Sequence, residues 1–354
     1  MVASREPIPK HTKIRDTYTV VDFLGEGAFG GVYKVRHKFL GIQALKIFHP
    51  GSIAPEQESD LFTEAFMLLK FTDENVVRVY DANTFELNGS RYCYIAMEYV
   101  GGGTLAHFIE QKVRLPVEQA FKIQKDICCG LALAHKMNPP VVHRDVKPQN
   151  IMLSMSGNDV MAKVSDFGLA NHVDPVTRVI AAAGTLAYMP PEGFWNYQTP
   201  ASDVFSAGII LYMMLTGVSP FKMPSGYQQT IKSEIRMAIQ ASRNQIPSPP
   251  SKYNTALDRK IDSVVLKALD PNLKKRYSDA GEMLKAIDSY QSGQDNDLDD
   301  KIREALNLGR QYTTLTEAIK LLESIITGQP MEKQNTLKDR YSKILSSWKK
   351  GMIM

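Results

Sequence analysis

The chain has 354 residues, which is long for a single domain and sufficient for a two-lobed enzyme with an additional segment. Hydrophobic residues make up 44% of it and charged residues 23%, as in ordinary globular proteins, which excludes a mostly disordered or membrane-embedded chain. The net charge is only +4 and no dense basic stripe with interleaved aromatic residues is present, so nucleic acid is not expected as a partner.

Cysteine content and apolar runs favour a cytoplasmic protein. The cysteines are Cys93 and the adjacent Cys128 and Cys129; neighbours seldom form a disulfide and there is no C-x-x-C pair, so we expect thiols in a reducing compartment. Residues 1–17 form a polar lead-in without a signal-peptide core. The most apolar run, 204–218, is shorter than the ~20 residues that a bilayer crossing needs, so we expect a buried helix and no membrane segment.

Residues 18–100 show the pattern of a small lobe rich in β-strands. β-branched and aromatic residues at short spacing predict five strands, at 18–24, 31–35, 44–48, 76–80 and 92–99. Apolar residues at helical spacing predict one helix among them, over 58–71. From residue 101 to 291 the periodicity is helical and predicts a larger, mainly α lobe, with helices at 117–135, 204–216, 231–240, 257–269 and 279–290.

The C-terminal part is predicted to be a separate helical extension. Residues 292–300 are acidic and almost without apolar side chains, which indicates a linker or an exposed turn. The extension, residues 301–354, contains helical patterns at 301–308, 314–326 and 332–348. Thr314 and Glu317 match a capping box. Because no repeat period is visible, we favour a strut packed on the large lobe over the start of a helical repeat.

A glycine-rich segment near the N-terminus has the pattern G-x-G-x-x-G-x-V, formed by Gly25, Gly27, Gly30 and Val32. In a dinucleotide-binding fold such a segment lies between a strand and a helix. Here a strand pattern follows it, which predicts a β-hairpin turn with its backbone over nucleotide phosphates. A plain hairpin is the alternative.

Lys46 is predicted to lie on an apolar strand, at the end of the run Gln43-Ala-Leu-Lys. A buried lysine needs a counter-charge, and Glu64, eighteen residues later in the only helix of that lobe, is the natural candidate together with the α- and β-phosphates of a nucleotide. A surface ion pair is the alternative interpretation.

The run from His143 to Asn150 and the later Asp166-Phe167-Gly168 carry the chemistry of phosphoryl transfer. Transfer needs a carboxylate at the attacking hydroxyl, a cation at the migrating phosphate and oxygen ligands for a metal ion. Asp145 is the candidate carboxylate and Lys147 the candidate cation. Asn150 and Asp166 are the candidate ligands of Mg²⁺ or Mn²⁺.

These motifs resemble those of the eukaryotic-like (Hanks-type) serine/threonine protein kinases, and the runs 143–154, 202–206 and 264–269 are most similar to the bacterial branch. The resemblance covers 18 to about 290 and implies an α+β, bilobal protein-kinase fold. It also implies an adenine site formed by Val32, Ala44, the gatekeeper Met97, the hinge residues Glu98 and Val100, and Met152.

The resemblance further implies a substrate shelf. Glu192 would pair with Arg276 to hold it, and Thr185 would contact Asp145 and Lys147. Asp203 would brace the catalytic loop. Arg144 is a cation beside the catalytic aspartate, and Thr177 is the leading candidate for an autophosphorylated residue that Arg144 would bind.

The function predicted from the sequence is transfer of the ATP γ-phosphate to Ser or Thr hydroxyls of protein substrates. A pseudokinase scaffold that binds nucleotide and a partner is the alternative, but such proteins typically lack Lys46, Asp145 or Asp166, all present here. Small-molecule kinases usually lack the Gly184–Glu192 shelf. The C-terminal helices could dock a partner, while the physiological substrate, the activating signal and the oligomeric state have no signature in the sequence.

Overall fold

The computed structural model describes residues 8–27, 30–53, 55–69, 72–157, 159–167, 186–224, 233–309, 314–329 and 331–351. The chain divides into two compact units, Met1–Ala286 and Ile287–Met354. None of the helices in these described ranges combines the length and the apolar composition that a membrane crossing would need.

The first unit begins with a six-stranded antiparallel sheet in the order β1-β2-β3-β4-β6-β5. Its strands are β1 (Lys13–Ile14), β2 (Tyr18–Gly27), β3 (Gly30–His37), β4 (Gly41–Phe48), β5 (Val79–Leu87) and β6 (Ser90–Glu98). Alternate residues Leu45 and Ile47 of β4 pack into an apolar cluster with Val35. Because side chains alternate along a strand, Ala44 and Lys46 belong to the opposite face.

Two features of this sheet differ from the prediction. The lead-in 1–17 contains β1, in which Ile14 is fully buried; a two-residue strand is too short to show an alternation pattern. The strand predicted at 76–80 begins at Val79 instead. The apolar residues before it join another segment, since Val77 donates its N–H to the carbonyl of Val164 and Val164 donates to that of Asn75.

One helix, α1 (Pro55–Leu68), lies between β4 and β5, three residues earlier than predicted. The rest of the first unit is mainly helical and includes a second, two-stranded sheet. Its elements are α2 (Leu105–Glu110), α3 (Val117–His135), β7 (Ile151–Ser156), β8 (Asp159–Val164), α4 (Pro200–Thr216), α5 (Ser233–Arg243) and α6 (Arg259–Ala268). The bounds of α3 agree with the prediction.

Helix α4 forms the centre of the larger lobe, and almost every residue of it is buried. It ends at Gly217, whose φ of +76° favours glycine. A Cβ at this position would lie 1.9 Å from the carbonyl oxygen of Val113, so the close approach also requires glycine. The helix therefore has a fixed end, and its first turn carries the buried residue Asp203.

The C-terminal part contains α7 (Ala280–Leu308), α8 (Leu315–Thr327) and α9 (Met331–Lys349). Residues 292–300, predicted as a linker or turn, are helical and lie within α7, as do residues 301–308, predicted as a separate helix. Asp and Asn lower helix propensity by only about 0.7 kcal/mol per residue, so a polar stretch can continue a helix that is extended on both sides. The boundary between the two units falls between residues 286 and 287.

The capping box predicted at Thr314 does not form. Thr314 precedes α8, but its hydroxyl donates to the carbonyl of Leu308 at 2.5 Å and makes no side-chain cap bond. The second unit is held by an apolar cluster contributed by all three helices. Its buried members are Ile302, Ala305, Leu315, Ala318, Leu322, Ile325, Ile326, Leu337, Tyr341 and Trp348.

Candidate active site

Asp203, in the first turn of α4, holds the backbone of the predicted catalytic loop. Its carboxylate accepts the N–H of His143 at 2.7 Å and that of Arg144 at 2.9 Å. His135, at the end of α3, contacts the same carboxylate at 3.0 Å, and its other ring nitrogen accepts the N–H of Ala280 at 3.2 Å. Asp203 is 1% exposed, so these bonds form where water cannot replace them, and the brace expected of Asp203 is confirmed.

This anchoring sustains an unusual backbone conformation. Arg144 has a φ of +68°, in a region that costs a non-glycine residue about 1–3 kcal/mol unless its surroundings impose it. Asp203 binds the N–H groups of both His143 and Arg144, which holds the backbone in this conformation, while the Arg144 side chain remains exposed.

Asp145, Lys147 and Asn150 form one hydrogen-bonded cluster. The ammonium of Lys147 lies 2.7 Å from Oδ2 of Asp145. Nδ2 of Asn150 donates to the same Oδ2 at 3.0 Å and to the Asp145 carbonyl at 2.8 Å. These two donor bonds fix the orientation of the Asn150 amide and leave its oxygen, Oδ1, as the atom with acceptor capacity for a metal ion.

Asp166, the second predicted metal ligand, follows a residue that is hydrogen-bonded to the first, Asn150. Ser165 donates both its N–H, at 2.9 Å, and its hydroxyl, at 3.0 Å, to the carbonyl of Asn150. His143 contacts the Ser165 carbonyl at 2.8 Å and lies against Phe167, with ring centroids 4.6 Å apart. Asp166, between these two anchored neighbours, has a φ of +62°. The residue that precedes Asp166 in the chain is therefore hydrogen-bonded directly to Asn150.

Lys46 of β4 pairs with Asp166, at 2.9 Å between Nζ and Oδ2. Burial raises the pKa of Asp166 and is the largest single influence on it. The Lys46 ammonium, through its charge and its hydrogen bond, acts in the opposite direction, with smaller help from His143 and Lys147, and the net result is a lowered pKa. Asp166 is therefore ionised at neutral pH, as a metal ligand must be.

A divalent metal ion fits this donor set. No group of three or more His, Cys, Asp and Glu side chains occurs within the described ranges. A divalent ion held by Asp166 and Asn150 would take one carboxylate oxygen and one amide oxygen from them, and its remaining ligands from phosphate and water.

The predicted partner of Lys46, Glu64, lies in α1, but its side chain is outside the described residues. That pairing stays a prediction. Gly25 and Gly27 end β2, Gly30 begins β3, and Gly27 pairs with Gly30, so the glycine segment is a hairpin as expected. A Cβ on Gly30 would lie 2.0 Å from the carbonyl oxygen of Ile47, which explains glycine there.

Four of the residues predicted to surround adenine lie on the adjacent strands β3, β4 and β6: Val32, Ala44, Met97 and Glu98. Ala44 is the register partner of Met97, and Val32 that of Lys46. Met152 lies in β7 and bridges Thr104. Met97 and Val100 are buried, as is Ala44. Glu98, predicted to be a hinge residue, makes an ion pair that was not predicted, with Lys163 of β8 at 3.0 Å.

The predicted shelf pair is formed. Arg276 donates to both carboxylate oxygens of Glu192, at 2.7 and 3.2 Å, and Ser202 of α4 donates to Glu192 at 2.7 Å. Arg276 also donates to the carbonyls of Ala201, at 3.0 Å, and Asp270, at 2.9 Å. Thr177 and Thr185 lie outside the described residues, so their predicted roles are not tested.

Comparison with known proteins agrees with this geometry. Residues 18–288 match the family described as protein kinase domain. The chain belongs to the protein kinase family. The serine/threonine-protein kinase PknB of Mycobacterium leprae is 33% identical over 304 residues, covering 81% of this chain and 44% of that protein. A probable serine/threonine-protein kinase PknB of Lactococcus lactis is 31% identical over 275 residues, covering 76% of this chain and 41% of that protein. The chain thus spans less than half the length of these curated relatives.

Solved kinase structures have the same fold. The Mycobacterium tuberculosis PknI kinase domain matches with a TM-score of 0.59 and 22% identity, over 80% of this chain and 99% of that one. Rad53 1–466, in complex with AMP-PNP, matches with a TM-score of 0.59 and 25% identity, over 76% of this chain and 64% of that one. The predicted α+β, two-lobed kinase fold is confirmed.

Sequence reasoning missed two buried cations of this kinase domain, Lys163 and Arg243. No sequence pattern around Lys163 indicates that it pairs with Glu98. For Arg243 a signal existed: Ile235, Ile239 and Arg243 follow each other at a spacing of four, so the arginine lies on the apolar stripe of α5. An arginine on such a stripe must find acceptors inside the protein.

Proposed function

We propose that this chain is an ATP-dependent serine/threonine protein kinase that transfers the γ-phosphate of ATP to Ser or Thr hydroxyls of proteins. The observation that carries the proposal is a set of contacts among the groups needed for transfer, in two parts that Ser165 links through its hydrogen bonds to the Asn150 carbonyl. Lys46 pairs with Asp166, Asn150 bonds Asp145, and Lys147 pairs with Asp145. Catalysis of phosphoryl transfer is chiefly positioning and charge stabilisation, and these contacts supply both.

Each side chain then has one role. Asp145 accepts a hydrogen bond from the attacking hydroxyl, orients its oxygen and takes its proton. Lys147, beside it, stabilises the charge on the migrating γ-phosphate, and Lys46 holds the α- and β-phosphates. Asn150 and Asp166 would hold Mg²⁺, or Mn²⁺ in its place, and the ion would neutralise charge between the β- and γ-phosphates.

The choice of Ser or Thr rests on two observations. A lysine two residues after the proposed catalytic aspartate, here Lys147, resembles the pattern of serine/threonine kinases. The curated relatives are named serine/threonine-protein kinases. Thr185 is proposed to contact Asp145 and Lys147. All of Lys46, Asp145, Asn150 and Asp166 are present, and no feature of the described residues favours a pseudokinase.

Activation is proposed to depend on Thr177. Arg144 has an exposed side chain, while its N–H is fixed by Asp203, which suits a cation that receives a phosphate. Phosphate on Thr177 would pair with it. The cytoplasmic location, the domain limits predicted above and a partner for the C-terminal helices stay predictions.

The proposal is tested by incubation of the protein with labelled ATP, Mg²⁺ and a basic acceptor protein. Asp145→Asn should lower the transfer rate by about 10³-fold or more, since positioning and general-base effects are each worth about 10² or more. Asp159→Asn is the matched control, because Asp159 is an exposed residue that pairs with Lys122 on the surface. Equal labelling by wild type and Asp145→Asn would refute the proposal, as would label found on tyrosine alone.

A further inference from the structure

Arg243, the last residue of α5, has its side chain entirely inside the protein, at 0% exposure. Its guanidinium donates to three backbone carbonyls of one short segment: Leu186 at 3.3 Å, Ala187 at 2.8 Å and Met189 at 3.3 Å. A planar fork of five N–H donors can satisfy several acceptors at once in a fixed geometry.

The segment that Arg243 binds needs such support. Residues 186–190 belong to neither a helix nor a strand, so their carbonyls are not held by a regular hydrogen-bond ladder. The remaining carbonyl of the group, that of Tyr188, accepts the hydroxyl of Ser206 from α4 at 2.8 Å. Side chains of α4 and α5 thus determine the direction of four consecutive carbonyls.

Apolar contacts reinforce the same junction. Leu186 and Phe194 pack with Ile239 of α5 in a small cluster, and Met189 and Met223 lie against it. The segment therefore rests on α5 through both packing and hydrogen bonds, and Arg243 provides the directional part.

Two stacked phenylalanines join Arg243 to the shelf pair. The Arg243 guanidinium lies 4.3 Å from the ring centroid of Phe221, and Phe221 stacks on Phe205 at 5.7 Å. Arg276 lies over Phe205 at 4.8 Å and holds Glu192. Residues 186–192 are consequently fastened at both ends by buried arginines that share one aromatic stack.

We propose that Arg243 is a positioning residue for the protein acceptor: by fixing the carbonyls of residues 186–189, it shapes the surface on which the acceptor peptide lies. This inference rests on the proposed kinase function. It assigns Arg243 an effect on peptide binding and transfer to peptide, and none on ATP, because the contacts described above join it to residues 186–189 and to Phe221.

The test compares wild type with Arg243→Met, which keeps the length of the side chain against Phe221 but has no donors, and with Arg243→Lys, whose ammonium cannot span three carbonyls. Arg259→Met, at an exposed position of α6, is the control for loss of one positive charge. KM for an acceptor peptide, KM for ATP and ATP hydrolysis without peptide are measured for each folded variant. Hydrogen exchange of residues 186–192 is measured as well.

For Arg243→Met we expect the peptide KM to rise about tenfold or more, with ATP KM and ATP hydrolysis within about twofold of wild type. Exchange of 186–192 should become about tenfold faster, with other segments unchanged. Arg243→Lys should fall between the two, and Arg259→Met should match wild type. Peptide and ATP KM rising together, or an unchanged peptide KM, would overturn the inference.

The experiments distinguish failure of the proposed kinase function from failure of the proposed role of Arg243. Absence of transfer by wild type would refute the kinase function, while exchange of 186–192 would still decide whether Arg243 holds the segment. If Arg243→Met does not fold, Arg243→Lys carries the same comparison, and unchanged exchange and peptide KM in that variant would overturn the inference.

Discussion

The surroundings of the catalytic loop and the C-terminal unit are both well buried, but they are built from different interactions. Around the loop, polar side chains such as Asp203 and His143 are at most 1% exposed and bind backbone groups. In the unit 287–354 the buried cluster is aliphatic and aromatic, with Trp348 and Leu322 among its members.

The difference follows from what each region has to specify. An apolar cluster requires suitable volume and tolerates several arrangements, whereas a buried hydrogen-bond network is satisfied in one geometry and costly in others. Phosphoryl transfer depends on placing groups to within a fraction of an ångström, so the network lies where the transfer groups are. The comparison predicts that damage to the network affects rate, while damage to the apolar cluster affects stability alone.

The largest effect is expected from Asp203→Ala. It leaves the N–H groups of His143 and Arg144 and the His135 ring without their acceptor, and each buried unsatisfied group costs about 1–3 kcal/mol. Because the catalytic loop also loses its anchor, kcat of the folded fraction should fall about 10²-fold or more. Steady-state kinetics beside thermal unfolding measures both.

Asp262→Ala is the matched control for that variant. Asp262 is a buried carboxylate of α6 that accepts the N–H of Ser251 at 2.8 Å and its hydroxyl at 2.6 Å, with none of these bonds to the catalytic loop. It should lose comparable stability and keep its kcat. If both variants lose rate equally, the network has no specific link to catalysis.

The next effect concerns the apolar cluster. Trp348→Ala should destabilise the unit 287–354 by about 3–5 kcal/mol, as large aromatic truncations do, without changing kcat. Hydrogen exchange of α8 and α9 gives the stability of the unit, and phosphate transfer gives the rate. A parallel loss of rate would show that the two regions are not independent.

Gly309 provides an internal check on this variant. A Cβ on Gly309 would lie 2.1 Å from Cζ2 of Trp348, so Gly309→Ala should cost about 1–3 kcal/mol by overpacking. In the Trp348→Ala background the added methyl group has room, and the cost should vanish. Equal costs in both backgrounds would mean that the ring does not occupy the expected place.

The catalytic loop could be predicted from the sequence because each of its residues has a chemical role at a fixed spacing. The motif spacing puts Asp145 and Asn150 in one loop, where they are hydrogen-bonded, and the family resemblance predicts the pair Glu192–Arg276, which is formed. The family and the two-lobed fold followed from the same motifs. Here local sequence and tertiary structure specify the same arrangement.

The ends of strands and helices, and contacts between residues far apart in the sequence, were harder to predict from the sequence. The position of β5 was missed although Asn88-Gly89, with φ of +52° and +75°, marks the hairpin that joins it to β6. Residues 292–300 have the polar composition that is typical of a linker, and they are helical because the helix continues from the residues on either side. Arg243 and Lys163 bind groups more than fifty residues away, and no local pattern identifies such partners.

The smallest expected effect tests whether burial is the reason that the polar network contributes strongly to stability. Glu282, in the first turn of α7, is about half exposed; it accepts the N–H of Ser278 at 2.8 Å and pairs with Lys267 at 3.3 Å. The bond from Ser278 is the main cause that lowers the pKa of Glu282 from its ordinary value of 4.5, with a smaller contribution from Lys267.

A carboxyl group whose pKa is lower in the folded than in the unfolded state stabilises the protein at pH values above its unfolded pKa. That stabilisation is lost as the pH falls through the folded pKa. Glu282→Gln should therefore cost less than about 1 kcal/mol near pH 7, and wild type and variant should converge as pH falls through the lowered pKa of Glu282. Unfolding by denaturant at several pH values measures the difference. If Glu282→Gln lowered the free energy of unfolding at pH 7 as much as Asp203→Ala does, exposed and buried carboxylates would contribute equally to stability. The contrast between the two regions would then depend on geometry and not on burial.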